Sequence, residues 1–304
     1  VYDMFMFFKF IKLLLIKKYD LIIPHGTMYY WAFPILPFIV KKTIPTVHGN
    51  IEVDFSKWKV SNRTLIIKVI AQIESFILKQ YKHLICEHNS VYNKLYKRGI
   101  DKNKMSVIKM AVISKPKNNR INKNYKQFIV LYTGTFVEVQ NLQLILETAA
   151  LLINENIVFK LVGATKQQYQ YYNDIIKRYG IEKTVEVVLR ESYGAMSKYY
   201  EEASIVISPR VIGYDTPMKI IEYLNYGKCI LATNRPIHTE VLDDETAYLS
   251  EPEPKNFAKA ILYLKNSPEI IEYYERKAKF YFENNFEFNT MKEKYYKLLH
   301  NYDR

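Results

Sequence analysis

One stretch restricts the fold more than any other: Ser204–Thr233, SIVISPRVIGYDTPMKIIEYLNYGKCILAT. Ser204–Ser208 is a short β-branched apolar run suited to a buried parallel strand. Gly213 and Pro217 break the chain after it. From Met218 the apolar residues Met218, Ile220, Ile221, Tyr223 and Leu224 form a helical stripe, which Gly227 ends as a C′ residue. Cys229–Ala232 predicts a second buried strand. Strand, loop, helix and strand in this order put the loop and the helix start at the carboxyl edge of a parallel sheet, where open α/β sheets take ligands.

That geometry has a chemical consequence. Thr216 suits the helix N-cap and Pro217 its first turn. The unpaired N–H groups there, Met218 included, favour a phosphate together with the positive end of the helix dipole. Lys219 adds a cation, and Glu222 lies one turn further in, where a carboxylate accepts from vicinal hydroxyls of a sugar. An anion site and a diol acceptor one turn apart suit a nucleoside diphosphate. The same spacing also fits an ordinary βαβ unit with a surface lysine and glutamate.

The run P-M-K-I-I-E-Y-L-N-Y-G-K-C-I-L-A-T resembles the donor-binding segment of family 4 retaining glycosyltransferases, in their P-x-K-x-x-E-Y-L/M-x-x-G-K-P-V-V-A form. The following R-P-I-H-T-E-V-L-D-D-E-T-A-Y-L continues the likeness, which extends from about Leu21 to the C-terminus. The resemblance implies an α/β fold of the GT-B type, two Rossmann-like, doubly wound parallel-sheet domains facing across a cleft. It implies a first domain shortened at its start, since the family's opening strand and glycine-rich loop are not visible before Tyr2. It implies metal-independent, retaining transfer of a hexosyl group from a nucleoside diphosphate sugar to a glycan, lipid-linked or protein-linked acceptor, with no cofactor. Glu222 is then the ribose ligand, and Thr216, Pro217 and Met218 hold the diphosphate.

The same resemblance assigns further residues. Gly134 matches a glycine of the family's phosphate loop, but the Arg and Lys expected in that loop are here Thr135 and Gln140. Either Lys219 and Arg210 supply the missing charge, or the chain binds its donor weakly or without turnover. The family's first acidic residue, eight positions before Glu222, falls on Tyr214, with Asp215 its neighbour. His48, in P-T-V-H-G, is the expected histidine near donor sugar and acceptor, and His25, in P-H-G-T, is a second. His48 and Asp215 are therefore the catalytic candidates. Arg190, Glu191 and Ser192 are expected near the nucleotide base. His83, His88, His238 and His300 are expected to be structural or on the surface, and no spacing suits a metal site.

Charge divides the chain. Residues 1–126 hold 23 Lys and Arg against 7 Asp and Glu, and residues 127–304 hold 21 against 24, so the net +13 comes from the first part. A basic half points to one anionic partner surface. No nucleic-acid module is recognisable, which leaves an acidic lipid surface or an anionic acceptor, for a cytoplasmic protein peripheral on the membrane. The competing reading is a glycosyltransferase-like binding protein that docks on lipid or on a partner subunit. Met4–Ile16 and Tyr29–Val40 are apolar but short of the ~20 residues a membrane-spanning helix needs, and Met4–Ile16 also fits a core helix. Cys86 and Cys229 fall in predicted buried strands, as core residues rather than a disulfide frame. Domains are expected at 1–114, 128–287 and a returning helix at 288–304, with a polar, basic linker at 115–127. Among the predicted helices is Asn62–Gln80, packing through Ile66, Val69, Ile70, Ile73, Phe76 and Ile77.

Overall fold

A computed structural model describes residues 9, 12, 16–25, 43–48, 63–113, 127–212 and 217–302. Most of the apolar run Met4–Ile16, the run Tyr29–Val40, most of the linker, and Asp215 and Thr216 lie outside the described residues. The chain divides into two compact units, residues 1–110 with 293–304, and residues 111–292.

In the first unit, β1 (Thr46–Val47), β2 (Leu84–Cys86) and β3 (Met105–Val107) form a parallel sheet in that order. Isolated parallel bridges Ile22↔Thr43 and His25↔Thr46 extend it beyond β1. Helices α1 (Arg63–Lys79) and α2 (Asn89–Lys97) connect the strands. Val47, Leu78, Leu84, Cys86 and Leu95 make the core. Of the expected packing face of α1, Ile77 is buried in the core but most of the rest is not. Ile66, Val69, Ile73 and Phe76 are exposed, whereas Ala71, Glu74, Ser75 and Leu78 are buried. The helix is apolar on both sides, so periodicity left two faces in competition, and the one with small residues allows the closer approach.

In the second unit, six strands run parallel: β4 (Phe128–Thr133), β5 (Ile157–Ala164), β6 (Val185–Leu189), β7 (Ile205–Ser208), β8 (Ile230–Thr233) and β9 (Tyr248–Ser250). Their order is β6-β5-β4-β7-β8-β9. The chain therefore winds outward one way from β4 and the other way from β7, the doubly wound arrangement whose switch point lies between these two strands. Helices α3 (Leu142–Leu151), α4 (Lys166–Tyr179), α5 (Met196–Glu202), α6 (Met218–Asn225), α7 (Pro236–Thr239), α8 (Pro254–Lys265) and α9 (Pro268–Asn285) follow in sequence, and most of the last helix, α10 (Phe288–Tyr302), counts with the first unit.

Sequence explains several ends. Thr165 and Gln168 form a reciprocal capping box at α4, and Gly180 closes that helix in the left-handed region. Gly227, at φ +58°, does the same after α6. On α6, Ile220, Ile221, Tyr223 and Leu224 are at most 2% exposed. Each such burial contributes roughly 1.5–3 kcal/mol. Met218, expected in the same stripe, is 43% exposed. Pro217 is the N-cap residue rather than a first-turn one, and no side chain caps the helix there.

Candidate functional site

A pocket of about 340 Å³ opens at the switch point of the second unit. Gly134 follows β4 and Arg210 follows β7, the two central strands, and Pro217–Glu222 enters from the start of α6. Gly163, near the end of β5, brings a third loop in. Gly134 and Gly163 sit at φ +136° and +127°. A Cβ on Gly163 would stand 2.1 Å from the Gly134 carbonyl oxygen, so only glycine lets these loops close to this distance. A glycine inside a strand is the sequence signal of such a close approach.

Lys219 is the buried cation of the pocket, 9% exposed. Its Nζ donates to Gln140 Oε1 at 2.7 Å and stands 4.0 Å from the Tyr132 ring centroid. Burial, reinforced by the nearby Arg210 charge and opposed by Glu222, lowers its pKa to about 7. Gln140, the position where a loop lysine was expected, thus holds an amine delivered by a different element. Thr135 is exposed, and its carbonyl accepts from the Tyr132 hydroxyl at 2.8 Å.

Glu222 is half-buried and accepts from the Tyr200 hydroxyl at 2.9 Å. Tyr200 and Tyr223 are both buried, both reach Thr133 Oγ1, and the Tyr200 ring stacks on Tyr226. Burial, with the neighbouring Tyr223 and Glu222, pushes the Tyr200 hydroxyl far above its ordinary range, so it stays a donor. The carboxylate is thereby oriented from behind, with its remaining lone pairs available to the pocket.

His238 is fully buried behind the site. Its Nε2 lies 2.8 Å from Ser208 Oγ and its Nδ1 lies 2.9 Å from Thr233 Oγ1. Thr233 Oγ1 also donates to the Arg210 carbonyl. These bonds tie the loop after β7 to β8 and so set where Arg210 enters the pocket.

The family model described as glycosyl transferases group 1 matches residues 114–280, more than half of the chain. The chain belongs to that family. No curated protein matches it by sequence. Among solved structures, a glycosyltransferase from Rickettsia africae is similar with a TM-score of 0.78 at 18% identity, over 99% of this chain and 82% of that one. Sucrose-phosphate synthase from Thermosynechococcus elongatus is similar with a TM-score of 0.76 at 16% identity, over 97% and 77% of the two chains. Anabaena HepE in complex with UDP and glucose gives 0.72 at 15% identity, over 96% and 81%. The fold is accordingly that of the GT-B glycosyltransferases, an α/β fold built on parallel sheets.

Within this group 1 glycosyltransferase, Gly134, Thr135, Arg210, Pro217, Met218, Lys219 and Glu222 all line the one pocket. Arg190 and Glu191 line it as well. The Arg210 guanidinium donates through Nε to the Ile212 carbonyl at 2.8 Å, and Glu191 accepts from the Tyr199 hydroxyl at 3.0 Å. His48 belongs to the first unit, where Glu87 and His25 flank it. Glu87 carried no sequence signal, because its relation to His48 spans 39 residues and two strands.

Proposed function

We propose that this glycosyltransferase moves a hexosyl group from a nucleoside diphosphate sugar to an acceptor, with retention at the anomeric carbon. The observation that carries the reading is the convergence, at one sheet switch point, of two closely approaching glycine turns, a buried lysine and a carboxylate held from behind by Tyr200. In this reading the diphosphate lies against Gly134, the start of α6 at Pro217–Met218, Lys219 and Arg210, with Thr216 contributing, and Asp215 is a catalytic candidate beside the donor sugar. Glu222 accepts from the ribose hydroxyls. Departure of the diphosphate concentrates negative charge, and Lys219 and Arg210 stabilise it in a water-poor pocket. Those two cations meet the charge without a metal ion. His48 serves the acceptor.

The acceptor is a glycan or a lipid- or protein-linked sugar. The exposed apolar residues Leu65, Ile66, Val69, Ile73 and Phe76 of α1, in a strongly basic part of the chain, support an acceptor carried at an anionic membrane face. No described helix is long and apolar enough to cross a membrane.

HepE is described with UDP and glucose bound, so UDP-glucose is the first donor to test. Calorimetric titration should give saturable binding. Glu222→Ala should weaken it roughly 10- to 100-fold, the loss of about 1.5–3 kcal/mol in hydrogen bonds to a charged group. Unchanged affinity in that variant would count against the assignment. Tight binding with neither hydrolysis nor transfer would identify a non-catalytic member of the family instead.

A further inference from the structure

Two neighbouring amide side chains close the turn that follows β4. Residues Glu138–Gln140 form a short 3-10 turn, and Asn141 ends it at φ +54°, the only non-glycine residue in the left-handed region among the described residues. Asparagine tolerates that backbone and is also a favoured helix cap. Yet Asn141, which precedes α3, makes no capping bond. Its Nδ2 donates instead to the carbonyl of Pro209 at 3.2 Å, across 68 residues, on the loop after β7. The next carbonyl, that of Arg210, accepts from Thr233 Oγ1. The peptide groups on both sides of the Arg210 Cα are therefore tied, one to the β4 turn and one to β8. Gln140 holds the other cation of the pocket. It is 8% exposed, and its Oε1 accepts from Lys219 Nζ at 2.7 Å. Lys219 and Arg210 arrive on different elements, and consecutive residues of one turn fix them both.

We propose that Gln140 and Asn141 are the positioning residues that set Lys219 and Arg210 in place before a diphosphate arrives, an inference that rests on the nucleotide-sugar reading above. A cation already held where negative charge will lie needs no reorganisation when that charge comes. Gln140 aligns Lys219 through its side chain, and Asn141 aligns Arg210 through the main chain. Both amides are neutral, so they order the cations without cancelling them. They act on the charge state of Lys219 in opposite directions. An oxygen acceptor on the amine favours its ammonium form, whereas the nearby Arg210 charge disfavours it. Gln140 supplies the first influence, and Asn141, by keeping Arg210 close, maintains the second. Among the described residues, the other titratable groups facing Lys219 are Tyr132 of β4, Glu222 of its own helix and His238 of α7.

The test uses the full chain and UDP-glucose, with affinity measured across pH for wild type, Gln140→Met, Gln140→Glu and Asn141→Gly. Glycine keeps the left-handed backbone at 141 and removes only the amide. Gln140→Met should move the pH at which affinity begins to fall downward by about one unit, so that affinity at pH 7 drops roughly tenfold and recovers toward wild type in mild acid. Gln140→Glu, which keeps the shape and adds a charge, should move that onset upward while weakening binding overall. Asn141→Gly should weaken binding roughly tenfold below the onset, where both cations are charged, and should also move the onset upward as Arg210 is released. Opposed shifts from adjacent residues are not what a general loss of structure produces. An onset that stays at the wild-type pH in Gln140→Met and in Asn141→Gly overturns the proposal. Should UDP-glucose not bind the wild type, the donor reading fails on its own, and NMR titration of the Lys219 side chain in the ligand-free chain still decides this one. A midpoint lowered in Gln140→Met and raised in Asn141→Gly supports the pair; one midpoint shared by all three proteins overturns it.

Discussion

Lys219 in the pocket and His238 behind it carry pH-dependent behaviour of different consequence. Lys219 is held near neutrality by burial. A diphosphate favours its cationic form, so binding raises the pKa above about 7 and takes up a proton in the window between the free and bound values. UDP-glucose, whose pyrophosphate diester does not titrate there, should therefore lose affinity as pH rises above about 7, approaching tenfold per unit. Calorimetry in buffers of different ionisation enthalpy should report the proton, and Lys219→Met should abolish both the uptake and the slope. A flat affinity from pH 7 to 9 would contradict it. His238 acts on stability instead. Burial first, with the Lys219 and Arg210 charges adding to it, lowers its pKa from 6.5 to about 4. The unfolded state then binds more protons below pH 6.5, so stability present above that value is lost as pH falls toward 4, by on the order of 3 kcal/mol. Thermal melts of wild type and His238→Gln should converge in acid. At this scale the sequence read glycine, lysine and glutamate at a spacing that suits a phosphate-and-diol site, and the structure brings those residues to one pocket. It could not pair Lys219 with Gln140, because 79 residues separate them and nothing local dictates that meeting.

At the scale of elements, the boundaries followed from local chemistry. Helix α4 begins and ends where its capping box and Gly180 say it must, and α8 begins with Pro254 in its first turn. Where several packing solutions existed, the sequence chose less well. Helix α1 buries the side that carries Ala71 and Ser75, and α9 runs to Asn285, with Phe282 and Phe286 packed into the second core. The close approach of the β4 and β5 turns yields the sharpest test here. Gly163→Ala places a Cβ against a backbone carbonyl at a positive φ, which should cost more than the ~1–3 kcal/mol typical of backbone strain. Denaturant midpoints should fall, and donor affinity should fall with them as the Gly134 turn is displaced. Full affinity and stability in that variant would mean that the two turns do not need to lie this close.

At the scale of the whole molecule, the division into two units predicts a separation of duties. Every residue lining the candidate pocket comes from residues 111–292, which carry their own six-stranded sheet and both of its hydrophobic layers. That segment expressed by itself should bind UDP-glucose within about threefold of the full chain, as a domain with its own core can. A folded segment, verified by circular dichroism, with no affinity would place part of the donor site elsewhere. The alternation of apolar runs and helical stripes by itself determined an α/β chain, most of its strands and the helix that carries Lys219 and Glu222. Those are short-range properties, set by period, capping and glycine. Which strands became neighbours, and hence that Gly134, Gly163 and Arg210 share one pocket while Glu87 and His25 bracket His48, only the tertiary structure decided. Parallel strands pair across long crossovers, and the register of that pairing, not the local sequence, brings side chains from distant positions to the same edge.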